Sequence, residues 1–168
     1  FYDIGANIGI YSCLVGNQLD SGKIVAFEPT SDAFDVLEQN IERNGVDAEL
    51  FNIACSDENG TTQMLIKGQT GHQFAEKDRG YKIKTRRIDD LVEEAAIDPP
   101  DICKVDIEGA EYLALDGFRN TLLESNCRHV FCEIHTEKIE AIGGSAEEIE
   151  SLFKKLGFEI EYVGDRRE

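Results

Sequence analysis

The sequence predicts an α/β fold, with a mostly parallel, doubly wound sheet flanked by helices. Three observations carry that expectation. Apolar runs of strand length alternate with helix-spaced segments along the chain. A glycine-punctuated turn, Tyr2-Asp-Ile-Gly-Ala-Asn-Ile-Gly9, follows the first strand, and an acid, Glu28, closes the second. On adjacent parallel strands such a turn and acid form a nucleoside pocket, the acid accepting hydrogen bonds from ribose hydroxyls.

The elements follow in order. Phe1–Ile4 reads as the end of a buried strand, after which Gly5 and Gly9 let the backbone turn tightly beside a ligand. A helix over Ile10–Leu19 leads to a strand at Ile24–Phe27. Ser31–Asn44 places Ala33, Phe34, Leu37 and Ile41 at helical spacing, with Ser31 or Asp32 as cap and Gly45 as stop. Leu50–Ala54 is the next strand. Gly60–Lys67 and Tyr81–Ile88 alternate with period two and flank a loop at Gly68–Gly80. Ile88–Ala96 is a short helix, and Ile102–Ile107 a core strand running into a helix from Ala110. Strand Val130–Ile134, helix Ala146–Leu156 and strand Phe158–Val163 complete the series. Residues 1–168 read as one domain. The chain opens without Met and directly in a core strand, so we expect it to be clipped at its N-terminus.

Composition narrows the classes. No run of 18 apolar residues exists to span a membrane. A net charge of −17 disfavours nonspecific binding to nucleic acid or anionic lipid. The acids are spread over the whole chain, which fits either a salt-adapted proteome or an ordinary acidic cytoplasmic enzyme. Five cysteines without a Cys-x-x-Cys pair read as free thiols in a reducing, cytoplasmic compartment. Three histidines without ligand-like spacing give no zinc site.

The turn chemistry selects among nucleoside cofactors. Asp3-x-Gly5-x-Asn7-x-Gly9 lacks the Gly-x-Gly pair that seats a pyrophosphate, and Asp3 would repel phosphates. Ser21-Gly22-Lys23-Ile24 lacks the P-loop spacing. An acid suits a cation, and S-adenosylmethionine carries an ammonium and a sulfonium. An NAD(P)-dependent oxidoreductase and a non-catalytic cofactor-binding domain are the rival readings.

Six segments then carry a resemblance: Phe1–Ser12, Ala26–Pro29, Asn52–Asp57, Ile88–Leu91, Lys104–Glu111 and Glu133–His135 occur in the order seen in FkbM-type methyltransferases. The Asp-Ile-Glu-Gly-Ala-Glu run at 106–111 is the more specific of these. The resemblance implies a Rossmann-like class I fold, S-adenosylmethionine as cofactor, and O-methylation of a hydroxyl on a sugar or small natural product. Such a sheet usually has another strand after Val163, so clipping at the C-terminus is expected as well. The resemblance also implies that Asp3, Gly5, Ala6, Asn7 and Gly9 line the methionine end and that Glu28 grips the ribose. It places adenine near Ala54–Asp57, with Asp57 or Ser56 holding the exocyclic amine.

Candidate catalytic residues cluster at strand ends. Asp106 and Glu108 fall where a doubly wound sheet faces its ligand crevice. A carboxylate there can take the acceptor's proton, or the pair can hold a divalent cation that acidifies a hydroxyl. Helix N-terminal complementarity accounts for Glu111, partly for Glu108, and not for Asp106. His135, beyond Glu133, has a side chain whose ordinary pKa suits a general base near neutrality. His72 lies in the Gly68–Gly80 loop and could reach over the site. Asp98-Pro-Pro-Asp101 looks like an amino-methyltransferase signature, but it precedes its strand and lacks the aromatic, so it reads as a rigid loop. Lys82, Lys84 and Arg86 share one strand face, as a solvated stripe or a landing for an anionic substrate.

Overall fold

The computed structural model describes residues 1–67, 71–74 and 81–163; for 65–67, 71–74 and 81 the backbone alone is described. In chain order the strands are β1 (Tyr2–Ile4), β2 (Ile24–Phe27), β3 (Ala48–Phe51), β4 (Ala54–Cys55), β5 (Gly60–Lys67), β6 (Gly71–Phe74), β7 (Tyr81–Arg86), β8 (Ile102–Val105) and β9 (His129–Cys132). The helices are α1 (Ile10–Gly16), α2 (Ser31–Asn44), α3 (Ile88–Glu93), α4 (Glu111–Asp116), α5 (Arg119–Glu124), α6 (Thr136–Ala141) and α7 (Ala146–Lys155).

Among the described residues, five strands form a parallel sheet in the order β3-β2-β1-β8-β9. Every residue of β1 and β2 is buried, as a parallel sheet covered by helices on both faces requires. One face packs Tyr2, Phe27 and Phe118 into the larger core, and the Tyr2 ring stacks on Phe118 at 5.9 Å. The other face packs Ile24 and Ala26 against Leu37 and Ile41 of α2. The helix-spaced apolar residues of 31–44 thus bury one stripe of a helix that Gly45 terminates; Thr30, not the expected Ser31 or Asp32, is its N-cap, and no side chain makes a capping bond there.

Register positions the site. Ile4 pairs with Phe27 on one side and Val105 on the other, while Val105 pairs with Cys132. Gly5, Glu28, Asp106 and Glu133 therefore leave the sheet along one edge. The chain order reverses between β1 and β8, so this edge is also the topological switch point.

A second sheet has the order β4-β7-β5-β6 among the described residues, with β5 antiparallel to both neighbours. It accounts for two departures from the sequence reading. The expected strand Leu50–Ala54 is split: β3 ends at Phe51, Asn52 donates to the Glu28 carbonyl, and Ala54–Cys55 moves across to pair with β7. The expected loop at Gly68–Gly80 contains β6, with His72 opposite Ile66; positions 68–70 and 75–80 and the His72 side chain lie outside the described residues.

Phe158–Val163 is not a strand. Phe158 and Ile160 pack against the larger core, so the alternation records burial, but no ladder among the described residues takes up the backbone. No helix among the described residues is long and apolar enough to cross a membrane. All five cysteines are free thiols. Lys82 and Lys84 are exposed on β7, and Arg86 pairs with Glu94.

Candidate active site

A cavity of about 300 Å³ opens at the carboxyl edge of β1, β2 and β8. Gly5, Ala6 and Asn7 form its floor, Glu28 and Pro29 one side, and Lys104, Asp106 and Glu108 the other. Ile53–Cys55 and Met64 bring the second sheet to its wall. An apolar lining with a few convergent polar groups is the usual form of a small-molecule site.

The glycine turn is built by close approach. Gly5 has φ +80°, and a Cβ there would stand 2.0 Å from the Asp106 carbonyl oxygen. The turn therefore touches the end of β8, which no side chain at position 5 would allow. Asn7 also takes a left-handed conformation, at φ 51°, which Asn tolerates better than most residues. Its backbone N–H donates to Glu28 Oε2 at 3.0 Å. Glu28 Oε1 accepts from the Thr30 N–H at 2.8 Å and from the Thr30 hydroxyl at 2.6 Å. A carboxylate offers about four lone-pair sites, so a fixed and buried Glu28 keeps acceptor capacity on the cavity side.

Asp3 stands differently from the sequence expectation. It is fully buried below the turn rather than on the cavity wall. Ser12 donates to it at 2.7 Å, and Lys104 Nζ lies 3.2 Å from Oδ1. Its charge is thus balanced by a resident ammonium and is not turned toward a ligand. Lys104, which sequence reasoning missed, also donates to the Gly5 carbonyl at 2.7 Å and lies 5.4 Å from the centre of the Tyr11 ring.

Four further candidates are off the cavity wall: Gly9, Ser56, Asp57, and His135, which stands behind Asp106 and Glu108. Gly9 packs on Leu37 and begins α1, its φ of +85° turning the chain into the helix. Ser56 bonds to Asp57 at 3.0 Å, and the Asp57 carbonyl accepts from Arg87. Both lie past the point where the chain joins β7, and Ala54 and Cys55 line the cavity in their place. The Ile88–Leu91 segment is structural: Asp89 accepts from the Thr121 N–H at 2.8 Å and joins α3 to α5.

The acidic end is a cluster around one imidazole. Asp106 lies one residue beyond β8, its N–H donating to the Ile4 carbonyl at 3.1 Å. Glu108 turns through a left-handed φ of 62° and meets Lys138 Nζ. His135 starts α6, its carbonyl accepting from Lys138 and Ile139. Its Nδ1 is 2.7 Å from Glu111 Oε1. Its Nε2 faces Glu108 at 3.6 Å, Glu133 at 3.7 Å and Asp106 at 4.0 Å. The hydrogen bond to Glu111 raises the His135 pKa above its ordinary value; burial opposes the shift, and the charges of Glu111, Asp106 and Glu133 reinforce it. The ordinary imidazole expected from sequence is therefore not what this site holds.

Asp106, Glu108 and His135 offer ligand atoms within 4.8 Å of one another, a set that could hold a divalent cation. Lys138 already meets Glu108, and Lys104 Nζ lies 3.7 Å from Asp106. An ion would have to displace both ammonium groups, so these residues fit one poorly.

A methyltransferase FkbM domain matches residues 3–160. The chain belongs to the FkbM methyltransferase family. The hexuronic acid methyltransferase AglP of Haloferax volcanii is 31% identical over 136 residues, covering 80% of this chain and 55% of AglP. The 31-O-demethyl-FK506 methyltransferase FkbM of Streptomyces tacrolimicus is 25% identical, covering 95% of this chain and 72% of its own length. The chain also matches 9% of the AMB antimetabolite synthetase AmbE of Pseudomonas aeruginosa, at 24% identity. It thus spans about half of AglP and a small part of AmbE. The crystal structure of methyltransferase FkbM from Methylobacillus flagellatus KT superposes with a TM-score of 0.57 at 20% identity, covering 77% of this chain and 31% of that one. That likeness bears on the fold.

Proposed function

We propose that this FkbM-family chain binds S-adenosylmethionine and methylates a hydroxyl on a sugar or small natural product. The observation that carries the reading is Glu28: a buried carboxylate at the end of β2, pinned by Asn7 and Thr30, with acceptor capacity facing the cavity. The acceptor site left on Oε2 suits a ribose hydroxyl. Gly5, Ala6 and Asn7 would pass beneath the methionine end, and Ile53, Ala54 and Cys55 would flank the adenine. When bound, S-adenosylmethionine supplies the reactive methyl group.

The protein's part is to aim the acceptor and receive its proton. Asp106 Oδ1 and His135 Nε2 are 4.0 Å apart, too far to bond directly. The acceptor hydroxyl donates its one hydrogen to His135 Nε2, which takes the proton. Asp106, which can only accept, holds a second hydroxyl of the acceptor. Glu108, held by Lys138, closes the same rim. The sugar and natural-product relatives support a hydroxylated acceptor.

Calorimetric titration with S-adenosylhomocysteine and, separately, NAD tests the cofactor. Binding of the first alone supports methyl transfer, and a label-transfer screen over sugars and hexuronic acids then finds the acceptor. Binding of NAD alone overturns the reading. The free thiols suit a reducing, cytoplasmic setting, and the charge of −17 suits a salt-rich one. A melting temperature that rises in molar KCl would support the latter, and one that falls would oppose it.

A further inference from the structure

Glu111 is fully buried, yet it begins a helix of only six residues. Helix-terminal complementarity is a weak surface effect, whereas burying an ion is costly unless it is well partnered. Its partners meet one oxygen, Oε1. Glu111 Oε1 accepts from the Gly109 N–H at 3.0 Å and lies 2.7 Å from His135 Nδ1. Gly109 makes that approach possible: its φ is +113°, and a Cβ there would stand 2.4 Å from the Lys138 Cβ. The loop before α4 thus lies directly on α6, with the carboxylate against the imidazole.

We propose that Glu111 is the positioning residue of His135, holding the neutral imidazole as its Nδ1–H tautomer with Nε2 turned to Asp106 and Glu108 at the cavity rim. A carboxylate can only accept, so the shared hydrogen belongs to Nδ1 and the lone pair to Nε2. The same charge steadies the imidazolium once Nε2 has taken a proton from the acceptor hydroxyl; the proton then passes to solvent. The groups facing His135 are Glu111, Asp106, Glu108 and Glu133, with Lys138 on Glu108. Of these only Glu111 is fully buried and on the Nδ1 side. This inference rests on the methyl-transfer reading above.

Nitrogen-15 NMR of the whole chain tests it, with His135 assigned by the signal lost in His135→Gln. Above its titration, wild-type His135 should show the Nδ1–H tautomer. Glu111→Gln, which keeps an acceptor oxygen but not the charge, should lower the His135 pKa by about one unit or more, the lower end of what an opposite charge in contact produces. S-adenosylhomocysteine affinity should stay within about threefold. An Nε2–H tautomer, an unmoved His135 titration, or a larger loss of cofactor affinity would each overturn the assignment. The tautomer measurement needs no variant, so it stands even where Glu111→Gln does not fold. Wild-type protein that binds no S-adenosylhomocysteine would sink the methyl-transfer reading while leaving the tautomer result intact, so the two failures are distinguishable.

Discussion

Lys104 joins the glycine turn to the neighbouring strand: its Nζ donates to the Gly5 carbonyl at 2.7 Å while lying 3.2 Å from the buried carboxylate of Asp3. One ammonium therefore holds the cavity floor and balances a charge that water cannot reach. Lys104→Met keeps the stem and removes the charge. Breaking a buried pair from one side typically costs about 3–5 kcal/mol. We expect the urea midpoint to fall accordingly with an unchanged slope, and S-adenosylhomocysteine to bind more weakly. A loss below about 1 kcal/mol, the range of exposed pairs, would show that Asp3 does not depend on Lys104.

Glu28→Gln should separate cofactor binding from folding. The amide keeps the shape of Glu28 but cannot accept at both ends, so either the Asn7 or the Thr30 bond is lost along with the charge. Hydrogen bonds to charged groups contribute about 1.5–3 kcal/mol each. Calorimetry should show S-adenosylhomocysteine affinity reduced by about tenfold or more, at 1.4 kcal/mol per decade. The melting temperature should fall less than in Lys104→Met. Unchanged affinity would remove Glu28 from the ribose site.

The sequence made the sheet edge readable because parallel strands add in register. Fully buried runs at Tyr2–Ile4 and Ile24–Phe27 mark central strands, so the residues just beyond them, Gly5 and Glu28, must lie side by side. What stayed hidden depends on long-range partners. The spacing of Asp3 looks like that of a ligand group, and nothing local reveals that Lys104 stands against it. Ser56 and Asp57 lie off the cavity wall because the chain changes sheets at Asn52, an event with no local periodicity. Glu111 fits a helix start so well that its second partner, His135, was masked; a buried position for so polar a residue is visible only in three dimensions. At Phe158–Val163, period-two burial arises from packing on α7 and the core without a strand.

Gly5→Ala should remove the cavity floor. The added methyl would meet the Asp106 carbonyl oxygen at 2.0 Å and the Ile107 side chain at 2.7 Å, and the backbone would still need φ +80°. A main-chain oxygen cannot step aside as a flexible side chain can, so the turn must lift away from β8. That separates Gly5 from Lys104 and shifts Asn7 off Glu28. Strain of this kind costs about 1–3 kcal/mol before the lost contacts are counted. The expected result is a lowered melting temperature together with loss of S-adenosylhomocysteine binding. Normal affinity in a folded Gly5→Ala protein would show that the turn does not shape the site.

The raised pKa of His135 sets a sign for stability against pH. In the unfolded chain the imidazole titrates near its ordinary value of about 6.5, and in the folded chain above it, chiefly through the hydrogen bond to Glu111. The folded state therefore binds the proton more tightly. The resulting stabilisation is complete below the unfolded pKa and is lost as pH rises through the folded one. His135→Gln removes it, so the stability gap between wild type and variant should be widest near pH 5.5 and narrow as pH climbs past neutrality. Methyl transfer should run the opposite way, because Nε2 can accept a proton only once His135 is neutral; its rate should rise over the same interval in which the stability gap closes. Urea titrations of both proteins from pH 5.5 to 9 measure the gap directly. A gap that stays constant with pH would mean that the Glu111 contact does not distinguish the two protonation states of His135.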